Sequence, residues 1–280
     1  MSPLICRSLW GFEGNLSAAI SLAQQQGFDG LEVNLRHPAL AGLEATAIRE
    51  QLQGAGLALI LELVSGGAYV PAIGAGPGEQ LAELEELLAA AADLAPLRLN
   101  LITGSDHWSG PEQHHFLAAT LDLVEDSGLV ASLETHRSRC LFNPWTIAEL
   151  LENHPRLRLT ADLSHWCVVS ERLLTPDLAP VQAMADRVDH IHARIGHAQG
   201  PSVGHPFAPE WAEALEAHRR CWSLFRERQR QRGHHNATIT PEFGPDGYLP
   251  VLPFSGLPVA DLDAINQAMA TWLRQGVLEG

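Results

Sequence analysis

Lysine is absent from this 280-residue chain, whose 18 basic side chains are all arginines. That removes every mechanism built on a Schiff-base lysine, pyridoxal phosphate enzymes and lysine-dependent aldolases among them, and it removes the P-loop. Cysteine is sparse. Cys6, Cys140, Cys167 and Cys221 are scattered without a Cys-x-x-Cys spacing, so neither a disulfide framework nor a zinc knuckle is expected. No apolar run reaches the roughly 18 residues of a membrane span. The start, Met1-Ser-Pro-Leu-Ile-Cys-Arg7, lacks the charged-then-apolar layout of a secretory signal. A cytoplasmic protein without a membrane partner is therefore expected. Positive charge is also short, with 18 basic against 33 acidic residues and a net charge of −15. Nucleic-acid affinity comes largely from basic side chains neutralising phosphates, so nucleic acid is excluded as a partner. What remains is chemistry by carboxylate, histidine or metal on a small-molecule substrate, in a monomer or a homo-oligomer.

At 46% hydrophobic residues the chain can bury a large core, and barrels of about 250 residues form single domains. One domain over residues 1–280 is expected. Alternating apolar and polar residues mark strands at Leu4–Arg7, Phe28–Leu35, Leu57–Val64, Leu97–Thr103, Val130–Glu134, Leu157–Asp162, Asp189–His192 and Thr238–Phe243. Helical spacing marks the segments between them, including Leu16–Gln26, Leu43–Gln53, Pro111–Asp126, Trp145–Asn153, Leu173–Val188, Glu210–Arg232 and Val259–Leu273. Eight strand-then-helix units imply parallel strands with right-handed crossovers, and they close most simply into a (β/α)8 TIM barrel. An open doubly wound sheet is the alternative. The Gly/Pro-rich run Gly196–Pro209 reads as a long ordered loop placed to act as a lid.

Four late strands each end on a strong metal ligand: Glu134, Asp162, His192 and Glu242. Setting these inward also sets Ser132, Thr160, His190 and Thr240 inward, and turns Leu133, Leu159, Ala161, Ile191 and Ile239 toward the helices. In such barrels functional side chains gather at the C-terminal strand ends, so the four would converge. Each has a plainer reading. Glu134 or Glu242 alone would be a surface carboxylate, Asp162 a helix cap, and His190 a hydrogen-bonded histidine inside the barrel. Taken together, three carboxylates and an imidazole suit one divalent ion, Mn²⁺ or Mg²⁺ before Zn²⁺ or Co²⁺. Trp10, Trp108 and Trp166 follow strand ends, where they would either stack on a polyol skeleton or fill the core. Glu32 and His136 are candidates for substrate contact or for supporting the ligands. A phosphorylated substrate would have to use Arg137, Arg139 or Arg194, because residues 244–258 contain no basic side chain.

The motifs Gly27-Phe-Asp-Gly-Leu-Glu32, Glu134-Thr-His136, Asp162-Leu-Ser-His165, His190-Ile-His192 and Thr240-Pro-Glu242-Phe-Gly resemble the xylose-isomerase-like TIM-barrel superfamily, in its sugar phosphate isomerase/epimerase branch. The resemblance implies metal ligation by Glu134, Asp162, His192 and Glu242, with the two glutamates as the acid/base pair. It also implies that His165 and Arg194 touch substrate oxygens. Two departures narrow it. Xylose isomerase itself relies on a lysine that this chain lacks, and endonuclease IV needs an Asp-x-His pair after the seventh strand that residues 193–209 do not contain.

The expected function is a metal-dependent isomerase or epimerase of a small sugar, ketose or related hydroxy-carbonyl compound. A dehydratase on the same site is the alternative, of the inosose or 3-dehydroshikimate type. A non-catalytic small-molecule binder comes third, since binding alone needs no paired carboxylates.

Overall fold

The computed structural model describes residues 2–278. Strands β1 (Leu4–Ser8), β2 (Gly30–Asn34), β3 (Ala58–Val64), β4 (Arg98–Ile102), β5 (Ala131–Glu134), β6 (Leu159–Ala161), β7 (Val188–His192) and β8 (Thr238–Thr240) each pair in parallel with their sequence neighbours. The barrel closes where β1 meets β8, with Leu4 opposite Thr238 and Ile5 opposite Ile239. Between and after the strands run α1 (Leu16–Gln25), α2 (Ala45–Gly54), α3 (Pro77–Ala92), α4 (Gly110–Ser127), α5 (Ile147–Asn153), α6 (Leu163–Val169), α7 (Ala179–Ala185), α8 (Ala212–Gln231) and α9 (Leu262–Arg274). This is the (β/α)8 barrel that the alternation predicts. No described helix is long and apolar enough to cross a membrane.

Local chemistry sets the helix starts. The Asn15 side chain accepts from Ala18 N–H at the start of α1, and Ser109 forms a capping box with Glu112 at the start of α4. Gly27 and Gly128, both with positive φ, close α1 and α4 in a conformation that glycine adopts without a Cβ clash. The predicted helix Leu173–Val188 is shorter: only Ala179–Ala185 is α-helical. Pro176 and Pro180 account for this, since proline cannot donate within a helix and serves best in its first turn. The helix missed by sequence is α6, which begins directly after β6 because Asp162 caps it, accepting from Ser164 N–H at 2.9 Å. His165 therefore stands in the first turn of a helix, just past the end of β6.

The period-two parity holds. Leu133, Leu159, Ala161, Ile191 and Ile239 are buried in the apolar layer that includes Leu84, Phe116, Phe225 and Met269 of the surrounding helices. The barrel interior is polar and internally bonded: Ser132 Oγ lies 2.7 Å from Thr160 Oγ1, and His190 Nδ1 lies 2.7 Å from Thr238 Oγ1. At the opposite end of the barrel from the ligands, buried Asp189 accepts from Arg158 Nη2 at 2.7 Å and from Arg232 Nη2 at 2.7 Å. Burial alone would raise the Asp189 pKa, but Arg158, His234 and Arg232 more than reverse this and hold it down at about 2. A depressed carboxyl pKa contributes stability above its unfolded value and loses it as the pH falls through the folded one. Asp189→Asn should therefore cost about 2–3 kcal/mol in urea denaturation at neutral pH. The gap between wild type and variant should shrink as the pH drops from about 4 toward about 2; a gap that is flat across this range would remove the ion pairs as its cause.

Candidate active site

The C-terminal ends of β5 to β8 bring Glu134, Asp162, His192 and Glu242 together, with one ligand atom of each within 4.8 Å of all the others. All four side chains are buried. His192 is the hinge of the group. Its Nε2–H donates to Glu32 Oε1 at 3.0 Å, while Glu32 Oε2 accepts from His190 Nε2–H at 3.0 Å. This fixes the tautomer that leaves His192 Nδ1 facing the cluster, where it makes no well-aligned hydrogen bond although Glu242 Oε2 is 2.9 Å away. Burial alone would disfavour the charged imidazole, yet Glu242, Glu32 and Glu134 outweigh it and raise the His192 pKa well above the usual range. The point they surround attracts positive charge, and a divalent cation would compete there with that proton. Oxygen-rich donors plus one imidazole, with a buried unpartnered nitrogen among them, fit a hard or borderline divalent ion.

The two glutamates are pushed in opposite directions. Burial raises both, but Glu134 is brought down to about 2 by His192, His136 and the 2.8 Å hydrogen bond from Asn100 Nδ2. Burial keeps Glu242 up at about 7 despite His192 and Arg194. Arg194 donates through Nη1 to Glu242 Oε2 at 3.1 Å, through Nη2 to Asp162 Oδ2, and through Nη2 to His165 Nε2 at 3.0 Å. Its guanidinium is flanked by aromatic faces, 5.6 Å from the Trp10 ring and 4.6 Å from the Tyr248 ring. His165 Nε2 also lies 3.7 Å from Glu134 Oε1, and the His136 ring is 4.0 Å from the His165 ring. Burial lowers the pKa of both histidines, His136 to about 4, so both are neutral at physiological pH.

Glu134, His136, His165, Arg194 and Glu242 line one cavity of about 270 Å³, near the lower end of ordinary small-molecule pockets. Trp10 forms part of its wall, donating Nε1–H to Asp246 Oδ2 at 2.9 Å. Gly244 makes room for that indole, since a Cβ there would come within 2.0 Å of the Trp10 ring. Glu32 sits beneath the ligands and does not reach the cavity.

Three expectations are corrected. Trp108 packs edge-on against Phe116 at 5.0 Å, outside this cavity, because the chain after β4 turns it into the apolar layer. Trp166 is fully buried and donates Nε1–H to the Leu141 carbonyl at 2.8 Å, since one residue along α6 from His165 points in another direction. The run Gly196–Pro209 contributes no residue to the cavity. It is pinned by fully buried Val203 and by the close approach of Gly196 to Ser164.

Sequence reasoning passed over Glu62, Tyr69, Asn100, Asp246 and Tyr248. Glu62 was detectable as the one charge in the apolar strand Leu57–Val64. It is buried and accepts from the Tyr69 hydroxyl at 2.9 Å. Burial first, then Glu242 and Glu32, raise its pKa well above the carboxylate range. The tyrosines lie on loops that carry no periodic signal.

The profile of a family described as xylose isomerase-like TIM barrel matches residues 20–218. No curated protein sequence matches the chain. Among solved structures, an L-ribulose 3-epimerase superposes with a TM-score of 0.70 at 13% identity, covering 99% of this chain and 95% of its own. A probable 3-DHS dehydratase, AsbF of Bacillus anthracis, gives 0.63 at 15% identity over 98% and 99%. A xylose isomerase-like TIM barrel protein of Mycobacterium smegmatis in complex with magnesium gives 0.65 at 13% identity over 99% and 97%.

The buried Glu32 bridge generates a prediction of its own. Glu32→Gln can accept from one histidine only and turns an amide toward the other, so His192 should lose its fixed orientation. Mn²⁺ affinity measured by calorimetry should fall by roughly 10–100-fold with the fold retained by circular dichroism. Unchanged affinity would mean that packing alone holds the imidazole.

Proposed function

The chain belongs to the xylose isomerase-like TIM-barrel family, and on that footing we propose that it is a divalent-metal-dependent isomerase or epimerase of a small sugar, ketose or related hydroxy-carbonyl compound. The observation that carries this reading is the pair Glu134 and Glu242, two carboxyl groups in one metal-type cluster whose surroundings drive their pKa values apart. Glu134, Asp162, His192 and Glu242 would hold the ion, Mn²⁺ or Mg²⁺ by donor type, with Zn²⁺ or Co²⁺ as alternatives. When bound, the ion supplies Lewis-acid polarisation of a carbonyl and its neighbouring hydroxyl.

The residues do the rest. Glu134, ionised at neutral pH, takes the proton from the carbon beside the carbonyl. Glu242 can hold a proton near neutrality and return one to the opposite face or the adjacent carbon. Arg194 and the neutral His165 orient oxygens, His136 supports His165, and Trp10 covers the carbon skeleton while excluding water. The dehydratase alternative shares the first proton abstraction. A proton carried by Glu242 would then pass to the departing hydroxyl, which leaves as water, and the likeness to the probable 3-DHS dehydratase AsbF keeps this alternative.

Purified protein should contain about one divalent ion per chain. Asp162→Asn and Glu242→Gln should lose it by elemental analysis, with loss of any thermal shift on adding Mn²⁺. In D₂O the metal-loaded protein should place deuterium at one carbon of a turned-over ketose, whereas a dehydratase product is lighter by one water. Glu134→Gln should cut turnover by about 10²-fold or more while substrate still binds. Full activity in that variant would falsify the carboxylate-pair mechanism.

Cytoplasmic location and a homo-oligomeric state complete the proposal. Residues 63–78 and 247–260 carry no charged side chain in a chain of net charge −15. They expose Val70, Ile73, Leu252, Phe254 and Leu257 on the rim loops that also furnish Tyr69 and Tyr248 to the cavity. Two like-charged copies meet with least repulsion through such a face. Light scattering should report an oligomer that Phe254→Asp dissociates; a wild-type monomer at high concentration would discard this part.

A further inference from the structure

Three arginines lie around the cavity, and two of them spend their charge within the protein. Arg139 is 1% exposed and spends its guanidinium on backbone carbonyls of Ser65, Ala68, Tyr69 and Gly104. Arg194 is committed to Asp162 and Glu242. Arg137 is different. It lines the cavity, half-buried, and enters no ion pair with the described residues. Asp246, the acid on the same rim, is engaged by the Trp10 indole N–H at 2.9 Å instead. The Arg137 guanidinium carbon lies 5.2 Å from the centroid of the Tyr248 ring, the same ring that Arg194 approaches at 4.6 Å.

We propose that Arg137 receives a carboxylate of the substrate, so that the compound turned over is a sugar acid with its carboxylate remote from the reacting carbonyl, rather than a neutral sugar. The inference rests on the isomerase or epimerase reading and adds the charge of the substrate to it. A guanidinium steadied over an aromatic face offers a pre-ordered fork, and a carboxylate is the anion that matches it bidentately. A phosphate dianion would call for a second uncommitted basic side chain or a cluster of amide N–H groups, whereas the other arginine of the wall, Arg194, is already paired and the rim adds the carboxylate of Asp246. Val70 and Ile102 offer apolar wall to the carbon chain that would join the two ends.

The test uses matched compounds on the Mn²⁺-loaded protein: D-fructose against D-fructuronate, D-tagatose against D-tagaturonate, and D-fructose 6-phosphate as a third arm. Binding is read by calorimetry and turnover by deuterium uptake from D₂O. The uronates should bind about tenfold or more tighter than their parent ketoses, as a charge-assisted hydrogen-bonded pair implies. Arg137→Gln should erase most of that preference and Arg137→Lys should keep part of it, with Mn²⁺ content unchanged in both. Parent ketoses that bind and exchange as well as the uronates overturn the inference and leave the isomerase reading standing. So does a preference that survives Arg137→Gln. Tightest binding by the 6-phosphate overturns the carboxylate assignment. Failure of every compound to bind or exchange, on protein that holds its metal, overturns both readings together.

Discussion

Repulsion among buried carboxylates governs the upper half of this barrel. Glu32, Glu62, Glu134, Asp162 and Glu242 share one small volume with little or no exposure to water, where like charges cannot coexist without compensation. Each polar feature around them answers to that constraint. His190 and His192 clamp Glu32, Asn100 steadies Glu134, and Arg194 spans Asp162 and Glu242. Burial and the neighbouring carboxylates push the Glu62 pKa well up, and its side chain takes a hydrogen bond from Tyr69. The chain offers no lysine to this cluster, so its positive partners are Arg194 and the histidines.

How much of this was legible in sequence follows from what kind of signal each part carries. The strands with alternating faces were readable because a period of two leaves no freedom once one residue is set: placing Glu134 inward fixes Ser132, and placing His192 inward fixes His190. The convergence of four strand ends was then a matter of counting. Asp162 was read as either a helix cap or a metal-type ligand, and its one carboxylate has the geometry for both, with Oδ1 turned to Ser164 and Oδ2 to Arg194. Tyr69 and Tyr248 were illegible because they sit on irregular loops, where nothing in the local pattern says which side chain turns back over the barrel. The lid expectation failed for the converse reason. Glycine and proline mark irregular backbone, and irregular backbone can be packed as tightly as a helix, as buried Val203 is.

Polar packing also ties the rim to the core. Arg139 binds carbonyls from the loops after β3 and after β4 at once, so the Tyr69 wall of the cavity is braced by a side chain that does not line it. Rim loops are commonly the mobile part of such barrels. Here one of them is anchored by charge-assisted hydrogen bonds to a buried guanidinium.

The contact of Trp10 with Gly244 joins the loop after the first strand to the loop after the last, across the line where the barrel closes. All four candidate ligands come from the half of the barrel built by β5 to β8, whereas Trp10, Tyr69 and the Glu32 bridge come from the half built by β1 to β4. Neither half can therefore make the pocket by itself. The chain must bring residues more than 230 positions apart into register before any part of the wall exists, and contacts that distant are the slowest to form. Capture of substrate thus reports on completed folding: a ribosome-bound chain lacking its last strand could present three of the ligands and still have no room in which to use them.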